Sequence, residues 1–597
     1  MISTHPQPYM LTPENFDRCR QVVTRSHAAE LIEGYHAAVR GPGGRPRSGR
    51  RFTILAVLVV ILAVTRVGRT PAMAEIYRMI GTLADDQLAA VGMDPAEIPE
   101  QDVDCQRKYR AFKGWLTRLL APLDPGADLP ARRVTNREHR RQVAARTDEQ
   151  VAASELALQR LHEVVNAIVA ASVDAQAPIG YQGDIVADET IIDLAGPSDG
   201  LGTKDDKNRA AAYAGRYYVR DGADNSVHNR YGDVVQFKKA AVGIGVTAVS
   251  RVGAPDHLYG VPPVITGIAI HQPTSGSVEG LVKAIAHHQG NGFDQRRNRG
   301  RLPYLTTDMG YNVKRGFNDM ALEAGYAPVV RYPRHWTTVW ASEGPEHTRA
   351  GKVDGPVQIS GSFYCPAARQ VIGQRRLVRK TVDLLHEDDG FEVQDRRLEA
   401  LFPLLMGTNS RPYRARPGRG RPRRAEIADR VELPVRQDLV CPAVQGRVQC
   451  PLKPASMGVA DLGIPTVTPT WAAERYRCCS QSQVTVTMSA PQWQRAQWGY
   501  VPGSWEHALY FEAARAATEQ RFSIMKSQHV TGLEHMKWSP RREPLLCLLI
   551  GLWVAATNLA IQDAYDQRPS KPSSVKRRMR QLEADLGRPP KRIPPRT

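Results

Sequence analysis

Cysteine is scarce in this chain, with 8 residues in 597 and no C-x2-C pair, so a disulfide-stapled framework is excluded. Aromatic residues are also thin, at 7%. The most apolar stretch read from the sequence, FTILAVLVVILAV (Phe52 to Val64), covers 13 positions, whereas a membrane span takes about 20. It reads as a buried helix, and no membrane partner is expected. No basic-then-apolar leader stands in MISTHPQPYMLTPENF and no Walker-type phosphate loop is present, so a cytoplasmic protein without an ATP requirement is expected. Acid is the last shortage: 61 Asp+Glu face 80 Lys+Arg, leaving a formal charge of +19. That excess calls for an anionic partner, and nucleic acid is the default.

What is present excludes disorder. Hydrophobic residues make up 42% of the chain, enough for several cores, and at roughly 150 residues per unit the length suggests three or four. The positive charge sits in three blocks. Arg132 to Arg146 carries a net +5, Arg411 to Arg424 a net +7, and Arg568 to the end a net +8, so the remainder is close to neutral. The middle block, RPYRARPGRGRPRR, is too rich in Pro and Gly for regular structure and reads as an exposed loop. Its Arg419, Arg421, Arg423 and Arg424 are candidate DNA contacts, and Arg419-Gly420-Arg421-Pro422 resembles the core of an AT-hook, which lies flat in a narrow minor groove. A solvated basic linker is the alternative.

Texture along the chain divides it into five parts. Residues 1–175 are helical, with apolar residues at helical spacing in Leu31 to Val39, Phe52 to Val64, Met73 to Leu83 and Thr147 to Val173; they read as a DNA-binding region or, since spacing shows no helix-turn-helix, as a packing domain. Residues 176–334 run strand, strand, strand, helix, strand, helix, strand, which predicts a mixed α/β layer. Residues 335–504, with five of the Cys and the Arg-rich loop, read as a β-rich insertion. Strongly helical sequence returns in 505–566 and completes the α/β part, and 567–597 is a basic, Pro-rich tail.

Three acids fall where such a layer would gather them. Asp188 ends the first strand in VADET, Asp308 ends the strand of TTDMGY, and Glu519 lies on the helix ALYFEAARAATEQRFSIMK. Carboxylates suit hard divalent cations, and a cation pair about 3.5–4 Å apart stabilises both the attacking and the leaving oxygen of a phosphodiester. Arg515, Glu519 and Lys526 are spaced four and seven apart, so they share one helix face. Glu189 would point away from Asp188, Asp184 shares the Asp188 face but is four residues off, and Glu512 is a second candidate for the helical acid.

These residues resemble the DDE transposases of bacterial insertion sequences, in the group with a β-rich insertion between the second Asp and the Glu. The spacing of Arg515, Glu519 and Lys526 matches that group's helix signature, whose Tyr would fall on Glu512; the nearest tyrosine is Tyr510. The resemblance implies a ribonuclease-H-like catalytic domain with Asp188, Asp308 and Glu519 as catalytic and metal residues. It implies two Mg²⁺ (or Mn²⁺) ions, Arg515 and Lys526 on phosphates, and double-stranded DNA at transposon ends and target as substrate, held by a homodimer. The expected reaction is metal-dependent cleavage at the transposon ends followed by strand transfer. A catalytically inactive, transposase-derived DNA-binding protein is the alternative. Cys365, Cys441, Cys450 and Cys478, with Cys479 beside the last, either hold a structural Zn²⁺ or remain free thiols. His287-His288 with Asn291 reads as a polar helix end rather than a nuclease motif.

Overall fold

A computed structural model describes residues 11–39, 52–95, 105–174, 180–195, 209–228, 232–294, 301–333, 336, 339–340, 353–372, 376–414, 434–458, 463–527, 530–533, 535–538, 541–567 and 574–595. The basic side chains of Arg419, Arg421, Arg423 and Arg424 lie outside the described residues.

The N-terminal third is helical: α1 (Pro13–Arg25), α2 (Ala28–Val39), α3 (Ile54–Arg66), α4 (Met73–Ile80), α5 (Asp85–Ala90), α6 (Cys105–Leu120), α7 (Asn136–Ala144) and α8 (Asp148–Ala171). Thr53 and Thr147 cap α3 and α8 by accepting the N–H of Ala56 and Gln150, and Gln150 closes a capping box on Thr147. α3 is buried on every side from Ala56 to Thr65, as its unbroken apolar sequence requires.

The central sheet is formed by β1 (Ile185–Leu194), β2 (Arg216–His228), β3 (Val234–Arg251), β4 (Ile265–His271), β5 (Tyr304–Thr307) and β6 (Ala327–Val329). β3 is antiparallel to β1, β2 and β4, while β1, β5 and β6 run parallel, so the sheet is mixed. Helix α9 (Ser277–Gly290) connects β4 to β5, and α10 (Met309–Asn312) with α11 (Phe317–Glu323) connects β5 to β6. Strand β2 was not anticipated: RYYVRDGADNSVH has no clean alternation, and its pairing with β3 shifts register between Arg220 and Asn225.

Between β6 and the last helices the chain forms small sheets and short helices in about equal measure. β7 (Val339–Trp340), β8 (Val357–Ile359) and β9 (Ser362–Tyr364) make one sheet. β10 (Gly407–Thr408), β11 (Tyr413–Arg414), β12 (Val435–Val440) and β13 (Gln483–Thr487) make another. Interspersed are α12 (Ala368–Ile372), α13 (Thr381–Leu385), α14 (Gly390–Leu401), α15 (Arg477–Ser480) and α16 (Ala490–Arg495). The helical stretch from Ala368 to Leu401 departs from the expected β-rich texture.

Two long helices return to the central layer: α17 (Trp505–Lys526) and, after β14 (His535–Met536), α18 (Glu543–Asp566); α19 (Ser574–Leu586) follows. α18 is the one described helix long and apolar enough to cross a membrane, and 89% of its most apolar window is buried. It is a longer apolar element than Phe52 to Val64. One core joins α1, α3, α6, α8 and α18 to the inner face of β1, β3 and β4. Two asparagines fix this junction. Asn166 of α8 pairs with both the N–H and C=O of Ile268 at 2.9 and 3.0 Å, and Asn558 of α18 does the same for Ile265 at 2.8 and 2.8 Å. They satisfy the free edge of β4, where unpaired backbone groups would otherwise be buried.

Candidate active site

Strand alternation decides which side chains of β1 meet. Ile185 and Ala187 belong to the core under α9 and α11, while Val186 packs into the opposite core with Trp505, Tyr510 and Ala514 of α17. Asp188, two residues on from Val186, therefore faces α17. Parallel pairing sets Ala187 against Thr307, so the next residues, Asp188 and Asp308, stand side by side where β1 and β5 diverge. Asp308 caps the short α10, its Oδ1 accepting the N–H of Met309 at 2.6 Å.

Helix α17 brings the third acid. Ser504 caps it by accepting the N–H of His507 at 3.1 Å, and its buried side, including Trp505, Leu509 and Phe522, fixes its rotation. Arg515 and Glu519, one turn apart, then face the strand ends. Arg515 stands between the acids: Nη1 donates to Asp308, and Nε donates to Glu519 Oε1 at 3.0 Å. Burial pushes the Asp188 carboxyl up to about 6; the Asp308 and Glu519 charges add to the rise, while the N–H of Glu189 and the Arg515 charge oppose it. Burial also works against the charge on Arg515, but the two carboxylates more than offset it. The site is thus an acid-rich centre with one guanidinium among its neighbours. It is open, the Asp308 and Glu519 side chains being 38% and 59% exposed.

The neighbouring acids are committed elsewhere. Glu189 points to the other face, where it accepts the hydroxyl of Ser277 at 2.7 Å and the N–H of Thr274 at 3.2 Å at the start of α9. Asp184 is fully buried and accepts Arg301 at 2.6 Å and the N–H of Tyr304 at 2.7 Å. Glu512 pairs with Arg331 and accepts the N–H of Thr381 at 2.9 Å, so it braces α17 against α13. Tyr510 is wholly buried beside Tyr304 and Tyr500, far too enclosed to touch a substrate. Sequence reasoning passed over Tyr311 of TTDMGY as a site residue. It is buried, its hydroxyl lies 3.5 Å from Thr247, and burial, with Asp188, Glu189 and Asp308 nearby, pushes its phenol well up.

Lys526 is not gathered with the acids. It lies with Arg220, Lys239 and Asp193 toward the other end of β1, where burial and then the two cations lower its pKa. Asp193 is itself held by Lys239 at 2.6 Å and by Tyr218 at 2.8 Å. His288 is buried and bonded to Thr266 at 2.7 Å, a structural role for the helix-end histidine. Cys365, Cys441, Cys450, Cys478 and Cys479 line one cavity in the segment between β6 and α17.

Among the described residues, no three His, Cys, Asp or Glu side chains already converge as a finished metal cage. Arg515 instead holds the position between Asp308 and Glu519 that a cation would share. No family model, no curated protein and no solved structure matches the chain.

Proposed function

We propose that the chain is a DDE-type transposase whose central layer is a ribonuclease-H-like domain, cleaving DNA at transposon ends and transferring the freed strand to target DNA. The observation that carries this reading is the meeting of Asp188, Asp308 and Glu519 at the fork between β1 and β5, under one arginine. The sheet supports it as well: β3 antiparallel between β4 and β1, with β5 and β6 parallel to β1, is the strand order such a domain uses.

The donor set fits hard cations. Three carboxylates are all-oxygen ligands, and the raised Asp188 pKa, chiefly an effect of burial, is added to by the Asp308 and Glu519 charges and opposed by Arg515. Asp188, Asp308 and Glu519 would hold the Mg²⁺ or Mn²⁺ ions. When bound, these ions would supply Lewis-acid stabilisation of the phosphodiester oxygens and a more acidic attacking water or 3′-hydroxyl. The residues of the chain do the rest. Asp308 and Glu519, open to solvent, admit a polymer rather than an enclosed small molecule. Arg515, freed from the carboxylates once another cation compensates them, is placed to take a phosphate oxygen in a forked contact. Lys526, Arg220 and Lys239 would follow the backbone further along, and Arg137, Arg140 and Arg141, exposed on α7, would contact phosphates nearby in sequence from the N-terminal side.

A binding protein without catalysis is the competing reading, and a nicking assay separates them. Supercoiled plasmid carrying the DNA that flanks the coding region is incubated with the protein in Mg²⁺ or Mn²⁺. Metal-dependent nicks ending in 3′-hydroxyls are expected; tight binding with no nicking in either metal would leave the binding protein as the answer.

A further inference from the structure

Five of the eight cysteines, drawn from segments as far apart as residues 365 and 479, converge on one cavity of about 20 Å³. That is room for a single water-sized occupant. The rest of the lining is mostly apolar, with Met406, Val448, Leu452 and Val467, and the five cysteines are free thiols. Three of the thiols come in the same local frame, Cys-Pro-Ala at 365, Cys-Pro-Ala at 441 and Cys-Pro-Leu at 450. Burial pushes all three thiols up, and the backbone N–H two residues on, of Ala367, Ala443 and Leu452, works against that rise. The Cys479 sulfur accepts the indole N–H of Trp471 at 3.4 Å. Donors aimed at sulfur stabilise thiolates, and a small hydrophobic cysteine has no use for them.

We infer that Cys365, Cys441, Cys450 and Cys479 form a four-thiolate structural Zn²⁺ site that staples the segment between β6 and α17. All four line the one cavity, from which a tetrahedral ion would draw its donors. Lys453 lines the same cavity and offsets part of the negative charge that four thiolates around one dication leave behind. Cys479 is taken as the fourth ligand in place of its neighbour Cys478, because its sulfur already accepts the indole N–H of Trp471 while the Cys478 sulfur packs beside Gly355. Among the described residues no three of these side chains stand close enough together to hold an ion, so binding would have to draw the sulfurs inward. The need is physical. This segment is built of two- to six-residue strands and short helices, a texture that buries little apolar surface per residue and gains most from a metal crosslink. The inference is independent of the catalytic reading.

The test uses the full chain, purified under reducing conditions without chelator from zinc-supplemented cells. Elemental analysis is expected to give close to one zinc per chain, and cobalt-exchanged protein to show a thiolate-to-cobalt charge-transfer band with intense tetrahedral visible bands. Cys450→Ser and Cys479→Ser should lose most of that cobalt signal, and Cys478→Ser should keep it. Wild-type protein without zinc and without the thiolate band would overturn the site, whatever the variants do. Loss in Cys478→Ser with retention in Cys479→Ser would overturn the ligand assignment.

Discussion

Two glutamates seven residues apart on α17 show how far a pattern carries and where contacts take over. Glu512 and Glu519 share a helix face, so spacing alone left either eligible. The side chains around them differ: Glu512 meets Arg331, Thr381 and Arg578, whereas Glu519 meets Arg515 and, through it, Asp308. Asp188 makes the sharpest residue-scale prediction. Its folded pKa of about 6 lies above the ordinary 3.8, so ionising it costs the folded state. The cost is full above about pH 6, shrinks as pH falls, and is gone only below about 3.8, where folded and unfolded chains are both protonated. Asp188→Asn should therefore be more stable than the parent at pH 8, by about 3 kcal/mol, with the difference vanishing near pH 3. Urea melts at the two pH values check this, and a variant less stable at pH 8 contradicts it. Mg²⁺ should raise the parent's melting temperature at pH 8 and leave that of Asp188→Asn unmoved. The acids were legible in sequence because strands and helix faces have fixed periods, although Asp188 does not end its strand: β1 continues past it to Leu194, held by its pairing with β3. Lys526 was placed with them by the same periodicity, yet two helical turns carry it about 10 Å along the axis, beyond reach of Asp188.

At the scale of elements, the C-terminal basic block is the clearest change from sequence to structure. Its charge predicted a grip on DNA, but much of it is spent inside the molecule. Val575, Met579 and Leu582 of α19 bury a stripe against the core of α17. Beyond α19, Arg588 pairs with Asp395 and, at 3.1 Å, with Glu392; Lys591 reaches Glu399 at 2.8 Å and Arg592 reaches Glu506 at 3.5 Å. The segment is a strap across α14 and α17. Met579→Asp should destabilise the chain by about 2–4 kcal/mol, chiefly from lost burial, read as a lower urea midpoint; an unchanged midpoint would mean the strap is not docked. The Arg block at α7 behaves differently, with Arg137, Arg140 and Arg141 on the surface and Arg146 alone turned in to Asp128 at 2.7 Å. Replacing those three exposed arginines by Ala should weaken binding to any duplex and flatten the salt dependence, the log–log slope changing by about 2–3. An unaltered slope would remove α7 from the interface. Other elements were hidden for physical reasons. β2 is polar and bulged, the helices α12 to α14 are short and lie among Pro and Gly, and the meeting of the cysteines depends on contacts between residues more than a hundred positions apart.

Across the whole molecule, the division into an N-terminal helical part and a central α/β part dissolves in packing. The apolar face of β4 is covered by α8 and α18, and α3 is enclosed against α18, so each part supplies the other's interior. A chain beginning at residue 180 would expose α18 along much of its length and leave Asn558 without Ser172, its 2.9 Å partner at the end of α8. Such a fragment should aggregate and show no cooperative melt by circular dichroism, whereas the full chain should melt the central layer and N-terminal helices together; an independently folded fragment would contradict the shared core. This construction ties the acids to the rest of the chain, since β1, β5 and α17 hold their relative positions only through cores that the N-terminal helices and the strap complete.

The account stands most directly on one comparison, single-turnover cleavage of flanking-DNA duplex in Mg²⁺ by the parent, Asp188→Ala and Glu512→Ala, with DNA binding measured alongside. It predicts binding by all three, cleavage by the parent and by Glu512→Ala, and none by Asp188→Ala; cleavage retained by Asp188→Ala, or lost only in Glu512→Ala, would contradict it.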